Sequence, residues 1–165
     1  MKIRAILFTI GCSLIFTSCT QPNQTTEKAA PPPAKEASPT PPDPPADESH
    51  RFPTKDQVNF QLVNDHMLGK QQLPGGNLAT YKSKGKTYEL FLIKAKSSEA
   101  AAIWLLDLKS SLTKPAFVAS FGGYYGLDNE TPLFIFQKGA YLAGVSGLKQ
   151  ADADKVAREL AARIN

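Results

Sequence analysis

Proline placement limits the folded part of this chain more than any other feature. Ten of the thirteen prolines lie between Pro22 and Pro53. Residues 20–51 also contain no aromatic side chain, so this segment cannot bury enough apolar surface to offset the entropy of ordering it. The sequence therefore predicts a linker over residues 19–51, preceded by a separate segment at residues 1–18. One globular domain over residues 52–165 follows the linker.

The linker is expected to act as a semi-rigid stalk. Proline runs such as Pro31-Pro32-Pro33 favour extended polyproline II, which rises about 3.1 Å per residue. A stalk of this length holds the domain up to roughly 100 Å from the point where the chain is attached.

The first 18 residues have the pattern of an export signal. Lys2 and Arg4 give it a positive start, and the apolar stretch at residues 5–16 is shorter than the about 20 residues that span a bilayer. Residues 16–19, Phe-Thr-Ser-Cys, resemble the lipobox of bacterial lipoproteins. This resemblance implies cleavage before Cys19 and a lipid on its thiol. Phe16 stands where Leu is usual, so cleavage without lipidation is the alternative.

Attachment and location follow from the choice of cysteine. Cleavage at Cys12 would leave only a few apolar residues in the signal, so Cys19 is the expected acceptor. Two or three acyl chains at Cys19 would anchor the exported chain stably to a membrane. Thr20, rather than Asp, follows the cysteine, and the resemblance then implies the outer membrane if the source is Gram-negative.

The globular part is predicted to be an α+β domain with a mainly antiparallel sheet of about five to six strands. Apolar residues at helical spacing predict one helix that starts after Ser97 or Ser98 and stops before Pro115, and a second over residues 152–164. Both helices are expected on one face of the sheet. Turn signals and apolar runs predict strands at residues 77–83, 87–95, 115–121, 124–127, 133–137 and 140–146. The order of elements suggests a duplicated ββα unit.

Glycine-rich motifs carry a second resemblance. They are Leu73-Pro74-Gly75-Gly76-Asn77-Leu78-Ala79-x-Tyr81, Gly122-Gly123 and Lys138-Gly139-x-Tyr141-Leu142-x-Gly144-Val145. Over roughly residues 60–162 the chain resembles an uncharacterised domain family of bacterial secreted proteins. The resemblance implies export and the domain boundaries, and it brings no established activity.

Cysteine and histidine usage restricts the chemistry of the domain. With Cys19 lipidated and Cys12 removed, no free thiol remains, which excludes cysteine nucleophiles, disulfides and thiolate metal sites. His50 falls in the predicted linker, which leaves His66 as the one imidazole of the predicted domain. One His does not build the usual multi-His zinc site, so neither a metal nor another cofactor is expected.

Two arrangements could still support hydrolysis. His66 with Asp65 and a serine, Ser120 or Ser146, would form a catalytic triad if the fold brought them together. The acidic pairs Asp152/Asp154 and Asp128/Glu130 are better explained as a helix start and a turn than as a glycosidase pair. A small envelope hydrolase that uses His66 therefore remains the alternative function.

Two glycine-containing segments are candidates for a binding surface. Backbone N–H groups at Gly75 and Gly76 could bind an anion, although a type II turn with Pro74 and Gly75 at its centre explains the same residues. Tyr124 and Tyr125 follow Gly122-Gly123, and successive strand residues point to opposite faces. At least one of the two rings is therefore expected to be accessible, unless both complete the core.

Charge and composition do not indicate nucleic-acid binding. Residues 51–165 hold fifteen Lys or Arg against ten Asp or Glu, and no nucleic-acid motif accompanies them. The mild positive charge fits a solvated surface. The favoured function is a membrane-anchored, non-catalytic binding or accessory module for an envelope protein or a cell-wall component. The remaining hypothesis is a structural spacer domain without a specific binding surface.

Overall fold

The computed structural model describes residues 44–165, which form one antiparallel sheet and two α-helices. The signal peptide, Cys19 and the linker up to residue 43, all predicted from the sequence, lie outside the described residues. The elements are β1 (Gln57–Asp65), β2 (Pro74–Ser83), β3 (Lys86–Lys94), α1 (Ser98–Ser111), β4 (Thr113–Val118), β5 (Gly123–Asp128), β6 (Thr131–Lys138), β7 (Tyr141–Ser146) and α2 (Gln150–Arg163).

The sheet has the strand order β1-β2-β3-β7-β6-β5-β4, with every neighbouring pair antiparallel. The chain builds one side as a meander of three strands, and α1 then carries it to the far edge. It returns through a second meander, so that β7 pairs with β3 at the centre. The prediction of an α+β domain with an antiparallel sheet is confirmed.

Two finer predictions about the sheet need correction. The sheet has seven strands rather than five to six, because β1 is also a strand. The ββα duplication is not confirmed, since three strands precede α1 and four lie between α1 and α2.

Both helices form where the sequence predicts them. The side chain of Ser97 accepts a hydrogen bond from the backbone N–H of Ala100 at 3.2 Å, which caps the start of α1. Asp152 lies in the first turn of α2, where a carboxylate is favourable, and Arg163 lies in the last.

The helices pack on opposite faces of the sheet, so the prediction that both lie on one face is wrong. Successive residues of β3 alternate between two cores. Leu90 and Leu92 belong to the core that contains the apolar stripe of α2, whereas Phe91 and Ile93 belong to the core that contains the stripe of α1. Because central strands such as β3 are apolar on both faces, each face needs its own cover.

Residues 46–51, which the sequence places in the linker, contact the sheet. Asn77 Nδ2 donates to the carbonyl of Ala46 at 3.0 Å, and the backbone N–H of Glu48 donates to Asn77 Oδ1 at 2.9 Å. Phe52, which follows this segment, is buried and packs edge-on against Phe60 with ring centroids 5.6 Å apart. The segment therefore covers the sheet beside β2.

Four side chains join this segment to β3 and β7. We call this cluster the Glu48 clamp; its members are Glu48, Arg51, Lys94 and Tyr141. The buried Glu48 carboxylate accepts from Arg51 Nε at 2.7 Å, Lys94 Nζ at 3.0 Å and Tyr141 Oη at 3.1 Å. Burial alone would raise the pKa of Glu48, but these three hydrogen bonds outweigh it and hold the pKa below its ordinary value. Glu48 is thus bound as a charged carboxylate.

Among residues 44–165, every buried side-chain nitrogen and oxygen has a hydrogen-bond partner. Over the same residues, no helix combines the length and the apolar character that crossing a membrane requires.

Candidate functional site

His66 lies in an exposed turn between β1 and β2, with a left-handed backbone at φ 55°. Its Nδ1 lies 3.4 Å from Asp65 Oδ2, and its backbone N–H donates to Asp65 Oδ1 at 2.8 Å. Within the described part of the chain no hydrogen bond joins His66 to a serine. Ser120 and Ser146 line two separate pockets, neither of which includes His66. The fold therefore does not assemble the triad that the sequence allowed.

Three of the four acids in the two predicted pairs bind cations. Asp128 Oδ1 binds Lys70 Nζ at 2.6 Å, and Asp152 Oδ2 binds Lys86 Nζ at 2.9 Å. Asp154 binds Arg158 one helical turn later. Across residues 44–165 no group of three His, Cys, Asp or Glu side chains is arranged to hold a metal ion.

Gly75 and Gly76 lie inside a strand rather than in a turn. Pro74 pairs with Asp65 and Gly76 with Val63, and neither glycine has the positive φ that the second central position of a type II turn requires. The type II turn prediction is wrong. The glycines serve close packing instead, because a Cβ at Gly76 would lie 2.6 Å from the carbonyl oxygen of Leu92. This segment is therefore a strand that pairs with β1 rather than a turn.

Tyr124 and Tyr125 point to opposite faces of β5, as expected for successive strand residues, and both rings are half-buried. Tyr124 packs against the α1 core, where Lys109 Nζ lies 4.8 Å from the ring centroid. Tyr125 packs against the α2 core and donates its hydroxyl to the carbonyl of Leu148 at 3.3 Å. Each ring therefore contributes to a core and exposes only part of its surface.

An open groove beside α2 is the larger of the two described pockets, with a volume of about 450 Å³. We call it the α2 groove. It lies between α2, the end of β6 and the turn before β5, and it is lined by Ser120, Phe121, Phe136, Gln137, Lys138, Arg158, Ala161 and Ala162.

The α2 groove combines an aromatic floor with two cations. The ring centroids of Phe121 and Phe136 lie 5.0 Å apart, and the central carbon of the Arg158 guanidinium lies over Phe121 at 5.0 Å from its ring centroid. Arg158 also binds Asp154 at 2.9 and 3.3 Å, and Lys138 Nζ donates to the carbonyl of Ala161 at 2.7 Å. The Arg158–Asp154 ion pair is partly exposed, and surface ion pairs contribute about 0–1 kcal/mol, so a carboxylate ligand can compete with Asp154 for the guanidinium.

A second pocket of about 320 Å³ lies on the other face of the sheet, near the turn between β5 and β6. Glu89, Asp128, Asn129 and Ser146 give it a polar and partly acidic lining. The Lys70–Asp128 ion pair beside it is largely buried and closes one side. This pocket is smaller than the α2 groove and lacks aromatic side chains.

Sequence reasoning did not find the α2 groove, because its residues come from three separated segments. Arg158 falls within the predicted second helix, which by itself marks no site. Ser120 was named for another role, as a nucleophile, and Phe121 as the end of a strand.

The fold and the groove define a small α+β domain in which a two-sided sheet carries an open aromatic and cationic groove. Comparison with family models, curated proteins and solved structures gives no match to the chain.

Proposed function

We propose that this chain is a lipid-anchored lipoprotein of the bacterial envelope whose α+β domain is a non-catalytic binding module. In this proposal residues 1–18 direct export, Cys19 carries the lipid, and the proline-rich linker holds the domain away from the membrane. The observation that carries the proposal is the α2 groove, which offers aromatic surface and a guanidinium at one open site.

The groove lining favours a ligand that bears a carboxylate next to an apolar part. Arg158 carries a planar fork of donors that matches a carboxylate, and its guanidinium lies over the Phe121 ring. The partly exposed Phe121 ring and the two alanines supply the apolar contact, while Phe136 is buried beneath them. Cell-wall peptides carry such carboxylates, as do acidic segments of envelope proteins.

Binding is tested with the full chain extracted in detergent and mixed with purified cell-wall sacculi. Arg158→Gln is expected to lower the co-sedimenting fraction at least fivefold, because it removes the charged fork. Lys155→Gln is the matched control, since it makes the same charge change at an exposed position of α2.

A photo-crosslinking residue in place of Ser120 tests for an acidic protein ligand in living cells. Capture of a protein that depends on Arg158 would identify the ligand as an envelope protein rather than the cell wall. If neither sacculi nor a captured protein depends on Arg158, the groove is not a binding site and the domain acts as a spacer.

The anchor is tested separately by Cys19→Ser. This change should abolish membrane association and labelled fatty-acid incorporation, with a soluble product or an uncleaved precursor in its place. Equal labelling of the Cys19→Ser protein would show that the lipid lies elsewhere.

A further inference from the structure

The two edges of the sheet differ in how they are protected against pairing with another strand. At one edge, β4 contains Pro115, which cannot donate to a ladder, and Lys114 beside it has a left-handed backbone at φ 52°. The register between β4 and β5 also shifts between Thr113 and Ala116. A proline, a lysine and a bulge are the devices that keep edge strands apart, so β4 is closed to partners.

At the other edge, β1 has none of these devices over most of its length. Its nine residues, Gln-Val-Asn-Phe-Gln-Leu-Val-Asn-Asp, contain no proline, lysine or arginine, and its one charge is Asp65 at the end. The single register shift lies between Gln57 and Asn59, which leaves Asn59–Asp65 in regular register with β2. Leu62, in the middle of this regular part, is 43% exposed.

An unprotected edge presents alternate backbone N–H and C=O groups to solvent and is a template for one more strand. Within the described residues β1 pairs only with β2, so its outer side is open to such a strand. When a twofold axis pairs a strand with its own copy, the first half of the strand lies against the second half of the copy. The two halves must therefore be complementary.

We propose that β1 pairs antiparallel with β1 of a second copy of this chain, about a twofold axis at Leu62. Leu62 then lies opposite its counterpart, and this contact covers an exposed apolar side chain. At each end of the regular part, Asn59 lies opposite Asp65 of the second copy, and its amide can donate to that carboxylate. The two Asp65 side chains lie at opposite ends of the ladder, so no like charges face each other.

Membrane attachment would favour this pairing, although the pairing does not depend on the α2 groove. One added strand gives a contact smaller than the about 1,200 Å² of a stable interface, so the dimer should be weak in dilute solution. Anchoring on one surface raises the effective concentration of the two copies. The test therefore uses the full chain in cells.

Two copies of the full chain with different tags are expressed together, one of them with a photo-crosslinking residue in place of Leu62. The expected adduct carries both tags, and the captured residue lies within Phe60–Asn64 of the second copy. The control places the same probe at Leu106, which is 52% exposed on the outer side of α1, and should give no such adduct. The absence of an adduct, or an adduct with a different protein, would overturn the proposal.

A second pair of variants tests the register. Leu62→Lys in the copy without the probe should lower the yield of the two-tag adduct at least tenfold, whereas Ile103→Lys should leave it unchanged. Both positions are exposed, so both variants should melt within a few degrees of the parent chain. An unchanged yield with Leu62→Lys would refute pairing through β1.

Discussion

Replacing Glu48 by Ala removes the centre of the Glu48 clamp and should destabilise the whole domain. The change leaves Arg51 Nε and Tyr141 Oη without the acceptor that both now use. Lys94 is about half exposed and regains water at little cost, so its bond adds little to the loss. If Glu48 instead lay in an undocked linker, its replacement by Ala would not change the stability of the domain.

The size of the effect follows from the two donors that stay largely buried. A hydrogen bond to a charged group contributes about 1.5–3 kcal/mol, and partial rehydration of Arg51 reduces its share. We therefore expect a loss of about 2–4 kcal/mol in the free energy of unfolding. At about 4 °C per kcal/mol for a domain of this size, the Tm should fall by roughly 8–16 °C.

Thermal unfolding of the full chain, followed by circular dichroism at pH 7, measures this loss. Glu159→Ala is the control, because it removes an exposed glutamate from α2 and should stay within about 0.5 kcal/mol of the parent. At about 4 °C per kcal/mol, a Tm for Glu48→Ala within 2 °C of the parent would correspond to a loss too small for the clamp. It would refute the reasoning and mean that residues 46–51 do not stabilise the domain.

The stabilisation of the domain by Glu48 should depend on pH, and the direction of this dependence follows from the pKa shift. The pKa of Glu48 is lower in the folded domain than its ordinary value of 4.5. Its stabilisation is therefore complete above that ordinary value and is lost as the pH falls through the lower, folded value. The Tm difference between the parent and Glu48→Ala should be constant from pH 7 to pH 6 and should shrink below pH 4.5.

Three further outcomes test the packing. Trypsin should cut after Lys35, in the predicted linker, and spare Arg51, which the Glu48 clamp holds. Early cleavage after Arg51 in the parent chain would contradict the docked segment, whereas Glu48→Ala should expose Arg51 to cleavage. Gly144→Ala should lower the denaturant midpoint by an amount that corresponds to about 1–3 kcal/mol or more, because the new methyl group meets the Phe91 ring and the carbonyl of Phe134. Tyr125→Ala should cost about 2 kcal/mol and Tyr125→Phe about 1 kcal/mol or less; equal stability of all three forms would mark the ring as pure surface.

The elements that the sequence predicts best are those whose local signals agree with their final environment. The strands predicted at residues 77–83 and 87–95, and at 133–137 and 140–146, are confirmed, and Gly85 and Gly139 in the turns between them have positive φ. The start of α1 after Ser97 and the apolar stripe of α2 are also confirmed, since their local signals agree with the structure around them. Strand β1 gave no comparable signal, because an edge strand with Asn and Gln between exposed apolar residues resembles a loop in composition.

The positions of the helices and the groove depend on long-range pairing that no local pattern contains. The two-sided burial of β3 was visible in its continuous apolar run, but which face each helix covers depends on the crossing of α1 to the far edge. The α2 groove forms only once Arg158 reaches over Phe121 from another element. The type II turn predicted at Pro74-Gly75 was wrong because glycine also occurs in strands where a neighbouring backbone lies too close for a side chain.

The contact between Arg51 and the end of α2 brings the two ends of the folded segment together. Arg51 Nη1 donates to the carbonyl of Arg163 at 2.9 Å, across almost the full length of the domain in sequence. Domains with adjacent ends tolerate a change of chain connectivity. A short flexible joint between residues 165 and 46, with new ends opened at the exposed Lys84-Gly85 turn, should leave the strand order intact. The circularly permuted domain would then begin at the opposite end of β3, so the point at which a preceding segment joins the domain becomes a quantity that can be engineered.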